Sequence, residues 1–259
     1  TCALPIFAKL TAVGVLAPLG EHVPLVTAAL ADAERIRRAR LHPLALLAAL
    51  RTYAQGRGDK GSLKWEPVPQ VTDALNAAFY TAFENVEPTG RRVLLALDIS
   101  GSMGWGRVAG TALTPREASA AMALVTAATE ANAHIVGFAT EMAPLPITPS
   151  MRLDDAVRAT SGLPFGGTDV ARQMLYALER GLKVDAFVVY TDSETWAGSI
   201  HPVQALRAYR ERTGIAAKLA VVGMVSNGFS IADPEDAGML DVVGFDTATP
   251  ALLADFIRQ

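Results

Sequence analysis

The sequence predicts an α-helical array followed by an open, doubly wound α/β domain with a mostly parallel sheet. Two observations carry this. The hydrophobic period changes at Glu87-Pro88-Thr89-Gly90, from helical spacing before it to short apolar runs alternating with helical segments after it. The composition, 51% apolar and 19% charged residues over 259, supplies enough buried surface for two packed parts. The expected division is residues 1–88 and 89–259.

In the first part, Leu25, Ala28, Ala29 and Ile36 define one helical segment, Leu44, Leu47 and Leu50 a second, and Val71, Leu75, Ala78, Phe79 and Phe83 a third. Pro43 and Pro69 stand where a first helical turn tolerates proline, and Gly56 and Gly58 close the middle helix. Few residues remain to bury the upstream face, so further helices are expected before this segment. In the second part, strands are expected at 93–97, 134–139, 186–191, 217–223 and 241–245. Thr114, Pro115 and Glu117 supply a cap, an N-terminal proline and an acid for the Ala-rich helix running to Ala131. Met142 to Ile147, punctuated by prolines, reads as an antiparallel edge strand. Short apolar strands joined by helices imply a sheet covered on both faces.

Several function classes fit poorly. No apolar run approaches the roughly 20 residues that span a bilayer, so no membrane segment is expected. Cys2 is the single cysteine, which excludes an internal disulfide and offers no thiolate cluster; a reducing, cytoplasmic setting is expected. His22, His42, His134 and His201 lack metal-ligand spacing and read as solvated or hydrogen-bonded side chains. No phosphate-binding Gly-x-x-x-x-Gly-Lys loop exists, Ser100 and Ser102 lack the flanking glycines of a nucleophile elbow, and the second acid a phosphatase wants is replaced by Ser100. A binding module is therefore expected rather than an enzyme.

The chemistry concentrates after the strand Val93 to Leu97, which ends in Asp98-Ile99-Ser100-Gly101-Ser102. A carboxylate and two hydroxyls offer hard oxygen donors at the carboxyl end of a buried strand, where open α/β sheets place ligands. Alone, the pattern equally fits an Asx or Ser/Thr turn. Gly166-Gly167-Thr168-Asp169 adds a hydroxyl on a flexible loop, and the apolar run Phe187 to Thr191 ends in Asp192. These fragments stand in the order of a metal-ion-dependent adhesion site of the von Willebrand A type. The candidate ligands are Asp98, Ser100, Ser102, Thr168 and Asp192, and the expected cofactor is Mg²⁺ or another divalent cation. Asp169 reads as a loop buttress, and Glu194 as a charge behind the ligands or at a helix end.

Larger stretches resemble one family. Leu95 to Met103, Gly166 to Asp169, Thr191 to Gly198 and Ser226 to Pro234 look like the Ro autoantigen family of TROVE-domain RNA-binding proteins. So do Ala39-Arg40-Leu41-His42-Pro43, Gly61 to Trp65 and Ala77 to Gly90. The resemblance covers nearly the whole chain except Thr1 to Ile6, which depart from the pattern and are suspected to be non-native. It implies that residues 1–88 are the last part of a ring of HEAT-like helical repeats in an N-terminally truncated chain, and that 89–259 form a von Willebrand A domain. It further implies binding of Y RNA and of structured or misfolded noncoding RNA, a role in RNA quality control, an exonuclease tethered through RNA, and a protein ligand that places an acidic residue on the metal. The alternatives are a von Willebrand A adaptor without an RNA role, and a Mg²⁺-dependent hydrolase.

Charge points the same way. Arg35, Arg37, Arg38, Arg40, Arg51, Arg57, Lys60 and Lys64 stand against Asp59 between residues 35 and 64, a local charge of +7 (8 minus 1) in a chain of net charge −3. Phosphate backbones reward such clustering through counterion release. Tyr53 and Trp65 are candidate stacking surfaces. The same stretch also fits a solvated helix face with a buried tryptophan.

Overall fold

The computed structural model describes residues 5–58, 62–108, 110–139, 141–161, 167–192, 198–225 and 231–259. The chain divides into two compact units: Thr1–Glu87 with Gly110–Leu113, and Pro88–Ala109 with Thr114–Gln259.

The first unit is helical: α1 (Pro5–Ala12), α2 (Val23–Ala31), α3 (Ala33–Arg38), α4 (Pro43–Ala54), α5 (Pro69–Thr81) and a 3₁₀ turn over Ala82–Asn85. Its centre is the α4–α5 pair, in which Leu46, Leu47, Leu75 and Phe79 are fully buried. The segment expected as one helix from Leu25 to Ile36 is two. Asp32 is extended (φ −79°, ψ 97°) and its side chain accepts a hydrogen bond from the Arg35 N–H, ending α2 and capping α3. The Asn85 amide donates to the carbonyls of Ile36 and Leu41, tying the end of α3 back to the unit.

His42 and the two aromatics that flank the α4–α5 loop are held by internal hydrogen bonds. His42 caps α4, its Nδ1 accepting the Leu44 N–H at 3.1 Å. Burial pushes its pKa down to about 4. Tyr53 and Trp65, read as stacking surfaces for bases, are buried and stack on each other with centroids 6.3 Å apart. The Trp65 indole donates to the Tyr53 carbonyl at 2.8 Å, and the Tyr53 hydroxyl accepts the Val68 N–H at 3.1 Å. The loop from α4 to α5 is thus anchored by two aromatics that bases cannot reach.

The second unit contains a six-stranded sheet of order β3-β2-β1-β4-β5-β6: β1 (Val93–Asp98), β2 (Ala133–Phe138), β3 (Met142–Pro144), β4 (Ala186–Thr191), β5 (Lys218–Gly223) and β6 (Met239–Val243). All neighbours are parallel except the β2–β3 pair at the edge. β1 and β4 are buried at every position, as apolar strands covered on both faces require. α6 (Pro115–Thr129) begins with the expected capping box: Thr114 Oγ1 accepts the Glu117 N–H at 3.1 Å, and Glu117 Oε2 accepts the Thr114 N–H at 3.1 Å. α7 (Leu153–Ala159), α8 (Arg172–Glu179), α9 (Pro202–Thr213) and α10 (Thr249–Arg258) complete the unit.

β6 begins two residues before the expected 241–245 and ends at Val243. Gly244 turns the chain at φ +83°, and Phe245 leaves the ladder to pack edge-on against Tyr190. The apolar run therefore overstated the strand, because its last aromatic belongs to the core and not to the ladder.

Candidate metal centre

Chain order sets the site. From β1 the chain moves to β2 and β3 on one side, then returns past β1 to β4 on the other. The crevice between the carboxyl ends of β1 and β4 is a topological switch point, the position where open α/β sheets bind ligands. Asp98 is the last residue of β1, and Asp192 follows the last residue of β4. The Ser100–Ser102 loop leaves β1 directly into a 3₁₀ turn at Gly101–Gly104, and Thr168 precedes α8.

Asp98 is the hub. It is 1% exposed. Its Oδ1 accepts the Ser100 N–H at 2.8 Å, and its Oδ2 accepts the hydroxyls of Thr191 at 2.6 Å and Thr168 at 3.3 Å. Thr168 therefore points its hydrogen at a carboxylate and leaves oxygen lone pairs for another partner. The same logic holds in the serine loop. The Ser102 hydroxyl hydrogen-bonds to the Asp192 carboxylate, so across the 3.0 Å Ser100–Ser102 contact Ser100 donates and both serine oxygens remain acceptors.

Asp192 is held less completely. Its Oδ1 is buried without a hydrogen-bond partner among the described residues. Burial pushes its pKa up, the neighbouring Asp98 pushes in the same direction, and Ser102 and Arg116 oppose them. A buried, unpartnered carboxylate oxygen beside hydroxyls whose hydrogens are directed at other acceptors is a donor set that fits a hard divalent cation.

Asp169 lies outside this cluster as described. Its Oδ1 accepts the Ala171 N–H at 3.0 Å at the start of α8, and a Cβ on Gly198 would come within 2.7 Å of its carboxylate. It holds the loop at the position where the backbone of Gly198 passes. Glu194 lies outside the described residues. No group of three or more His, Cys, Asp or Glu gathers anywhere among the described residues. The candidate site is built mainly from hydroxyls, with two carboxylates.

Sequence reasoning overlooked two residues. Thr191 was read as a strand end, yet its hydroxyl is fully buried, and a buried hydroxyl must find a partner; Asp98 is that partner. Arg116, in the first turn of α6, donates to the carbonyls of Ser100 at 2.8 Å and Thr160 at 2.5 Å and to the Ser161 hydroxyl at 3.3 Å. Its available signal was a cation at the start of a helix, the end that favours anions.

The basic segment is less concentrated than its sequence. Arg35, Arg37, Arg38, Arg40, Arg57 and Lys64 are exposed. Arg37 pairs with Glu34 one turn earlier, and Arg51 is partly buried. Lys60 lies outside the described residues. Arg57 and Lys64 face each other across an isolated antiparallel bridge.

Residues 92–257 match the model of the Ro60 vWA domain. The chain belongs to the Ro60 family. It is 50% identical over 248 residues to the RNA-binding protein RO60 of Deinococcus radiodurans, an alignment covering 95% of this chain and 47% of that protein. Against the RNA-binding protein RO60 of Caenorhabditis elegans the identity is 47% over 251 residues, covering 96% of this chain and 39% of the relative. The chain thus spans less than half the length of these curated relatives. The crystal structure of the Deinococcus radiodurans Ro (RSR) protein superimposes with a TM-score of 0.95 at 49% identity, over 98% of this chain and 52% of that one. The α/β unit is accordingly a Ro60-type vWA domain. No helix among the described residues is long and apolar enough to cross a membrane.

Proposed function

We propose that the chain is part of a Ro-type RNA-binding protein whose vWA domain carries a divalent-cation site for an acidic partner. For RNA, the support is identity of 47–50% over nearly the whole chain to two proteins named RNA-binding. On this reading the helices of the first unit belong to a HEAT-like TROVE ring. The exposed Arg35, Arg38 and Arg40 contact phosphates of Y RNA or of misfolded noncoding RNA, in RNA quality control in the cytoplasm.

For the metal, the carrying observation is the buried, unpartnered Oδ1 of Asp192, whose carboxylate Ser102 ties to the Asp98–Ser100–Thr168 cluster. Ser100, Ser102 and Thr168 would hold Mg²⁺ through their oxygens, with Asp98 and Asp192 supplying the negative charge. When bound, the cation would offer an open position for a partner's carboxylate oxygen.

Binding is favoured over hydrolysis because the relatives of highest identity given above are named RNA-binding proteins. Calorimetric Mg²⁺ titration of the chain and of Thr168→Ala tests the metal reading, and equal affinities would overturn it. Filter binding of a structured RNA with a single-stranded end, over a salt series, tests the RNA reading. The absence of salt-sensitive binding would leave the metal-dependent adaptor as the better account.

A further inference from the structure

We propose that Arg116 is a built-in counter-cation that keeps the cation site assembled when no metal is bound, and that it thereby weakens the metal affinity. The inference rests on the metal reading above.

Arg116 occupies an expensive position. It is the second residue of α6, at the positive end of the helix dipole, and it is partly buried; both circumstances disfavour a cation. What compensates is the pair of carboxylates, since Asp98 and Asp192 both stabilise its charge. Its two terminal nitrogens also reach different loops. One donates to the Ser100 carbonyl in the serine loop after β1. The other donates to Thr160, the residue that caps the carboxyl end of α7, and to the Ser161 hydroxyl. Both α7 and the Ser100 loop therefore hang on one guanidinium, whose planar fork suits two acceptors at once.

The electrostatic consequence follows from signs. Without a metal, Asp98 and Asp192 repel each other, and Arg116 supplies the missing positive charge. With a divalent cation present, that same charge repels the newcomer. A site built this way stays ordered when empty and releases its metal readily.

The test uses the whole chain with Mg²⁺ alone as the probe. Arg116→Gln is expected to melt at least 3 °C below the parent in EDTA, to gain more from Mg²⁺ than the parent gains, and to bind Mg²⁺ about tenfold more tightly by calorimetry. Arg116→Lys keeps the charge and loses the fork, so its Mg²⁺ affinity is expected to stay within about twofold of the parent's. Should Arg116→Gln fail to fold, hydrogen exchange on the parent decides: the amides of Ser100 and Met103 are expected to be equally protected with EDTA and with Mg²⁺. Amides that become protected only with Mg²⁺ would overturn the proposal. If Mg²⁺ moves the parent's melting temperature but Arg116→Gln gains the same or less, this inference falls alone. If Mg²⁺ moves neither protein, the metal reading falls with it.

Discussion

The basic segment of the helical unit and the oxygen-rich cluster proposed to hold a metal in the vWA domain are opposite kinds of candidate site. The arginines are adjacent in sequence, and the fold disperses their roles. Arg37 is spent on Glu34, Arg51 is partly buried, and the nearby aromatics that might have stacked on bases are locked against each other. The five cluster residues are spread from Asp98 to Asp192, and the sheet gathers them at one strand edge. Density of like residues in a sequence advertises a surface. Convergence of unlike residues from separate strand ends builds a centre.

The sharpest way to break this comparison is to remove the hub. Asp98→Ala is expected to abolish Mg²⁺ binding in calorimetry while leaving RNA affinity unchanged. It should also destabilise the chain by about 3 kcal/mol in denaturant unfolding, because the Ser100 N–H and the Thr168 and Thr191 hydroxyls lose a buried acceptor. A variant that unfolds like the parent would show that water replaces the carboxylate and that the cluster is not tightly built.

The same comparison predicts a different response on the basic side. Replacing Arg35, Arg38 and Arg40 together by Ala should weaken RNA binding to many sequences alike and lower the salt slope by up to about one unit per lost phosphate contact. Adding Arg37→Ala should do little more, since that side chain is already paired with Glu34. An additional full unit of slope from Arg37 would show that the ion pair opens for RNA.

Acid should separate the two units. His42 has a folded-state pKa lowered from 6.5 to about 4, so between those values the unfolded chain binds the extra proton. Stability is then fully present above about pH 6.5 and is lost as pH falls toward 4, by on the order of 2 to 3 kcal/mol. The physical cause is burial, and the protonated ring would also lose the Nδ1 acceptor that caps α4. His42→Asn keeps a capping oxygen without the titration and should flatten the profile over that range in denaturant melts. Equal pH profiles would assign the acid sensitivity elsewhere.

The smallest effect separates charge from backbone. Arg40 sits at φ 49°, the left-handed conformation at the end of α3 where glycine is usual. Arg40→Gly should stabilise the chain by up to about 1 kcal/mol while weakening RNA binding slightly. Stabilisation with unchanged RNA affinity would mean that this arginine serves neither the fold nor the ligand.

What the sequence by itself determined was whatever depends on local pattern. The unbroken apolar runs of β1 and β4 specify buried parallel strands, and Thr114-Pro115-Arg116-Glu117 specifies the start of α6 through its own capping box. The Asp-x-Ser-x-Ser turn is legible too, since Asp98 Oδ1 accepts the N–H of Ser100 two residues on. Where pattern and tertiary packing diverged, packing decided. Phe245 was drawn out of β6 into the core beside Tyr190, and Asp32 divided a helix that its apolar spacing had joined.

Only the tertiary structure decided which oxygens Asp98 holds, that Thr191 is among them, and that Arg116 spans from Ser100 to Thr160. Those contacts join residues 16 to 93 positions apart. No periodicity encodes them, because they exist only once parallel strands have been brought side by side and their carboxyl ends share one edge.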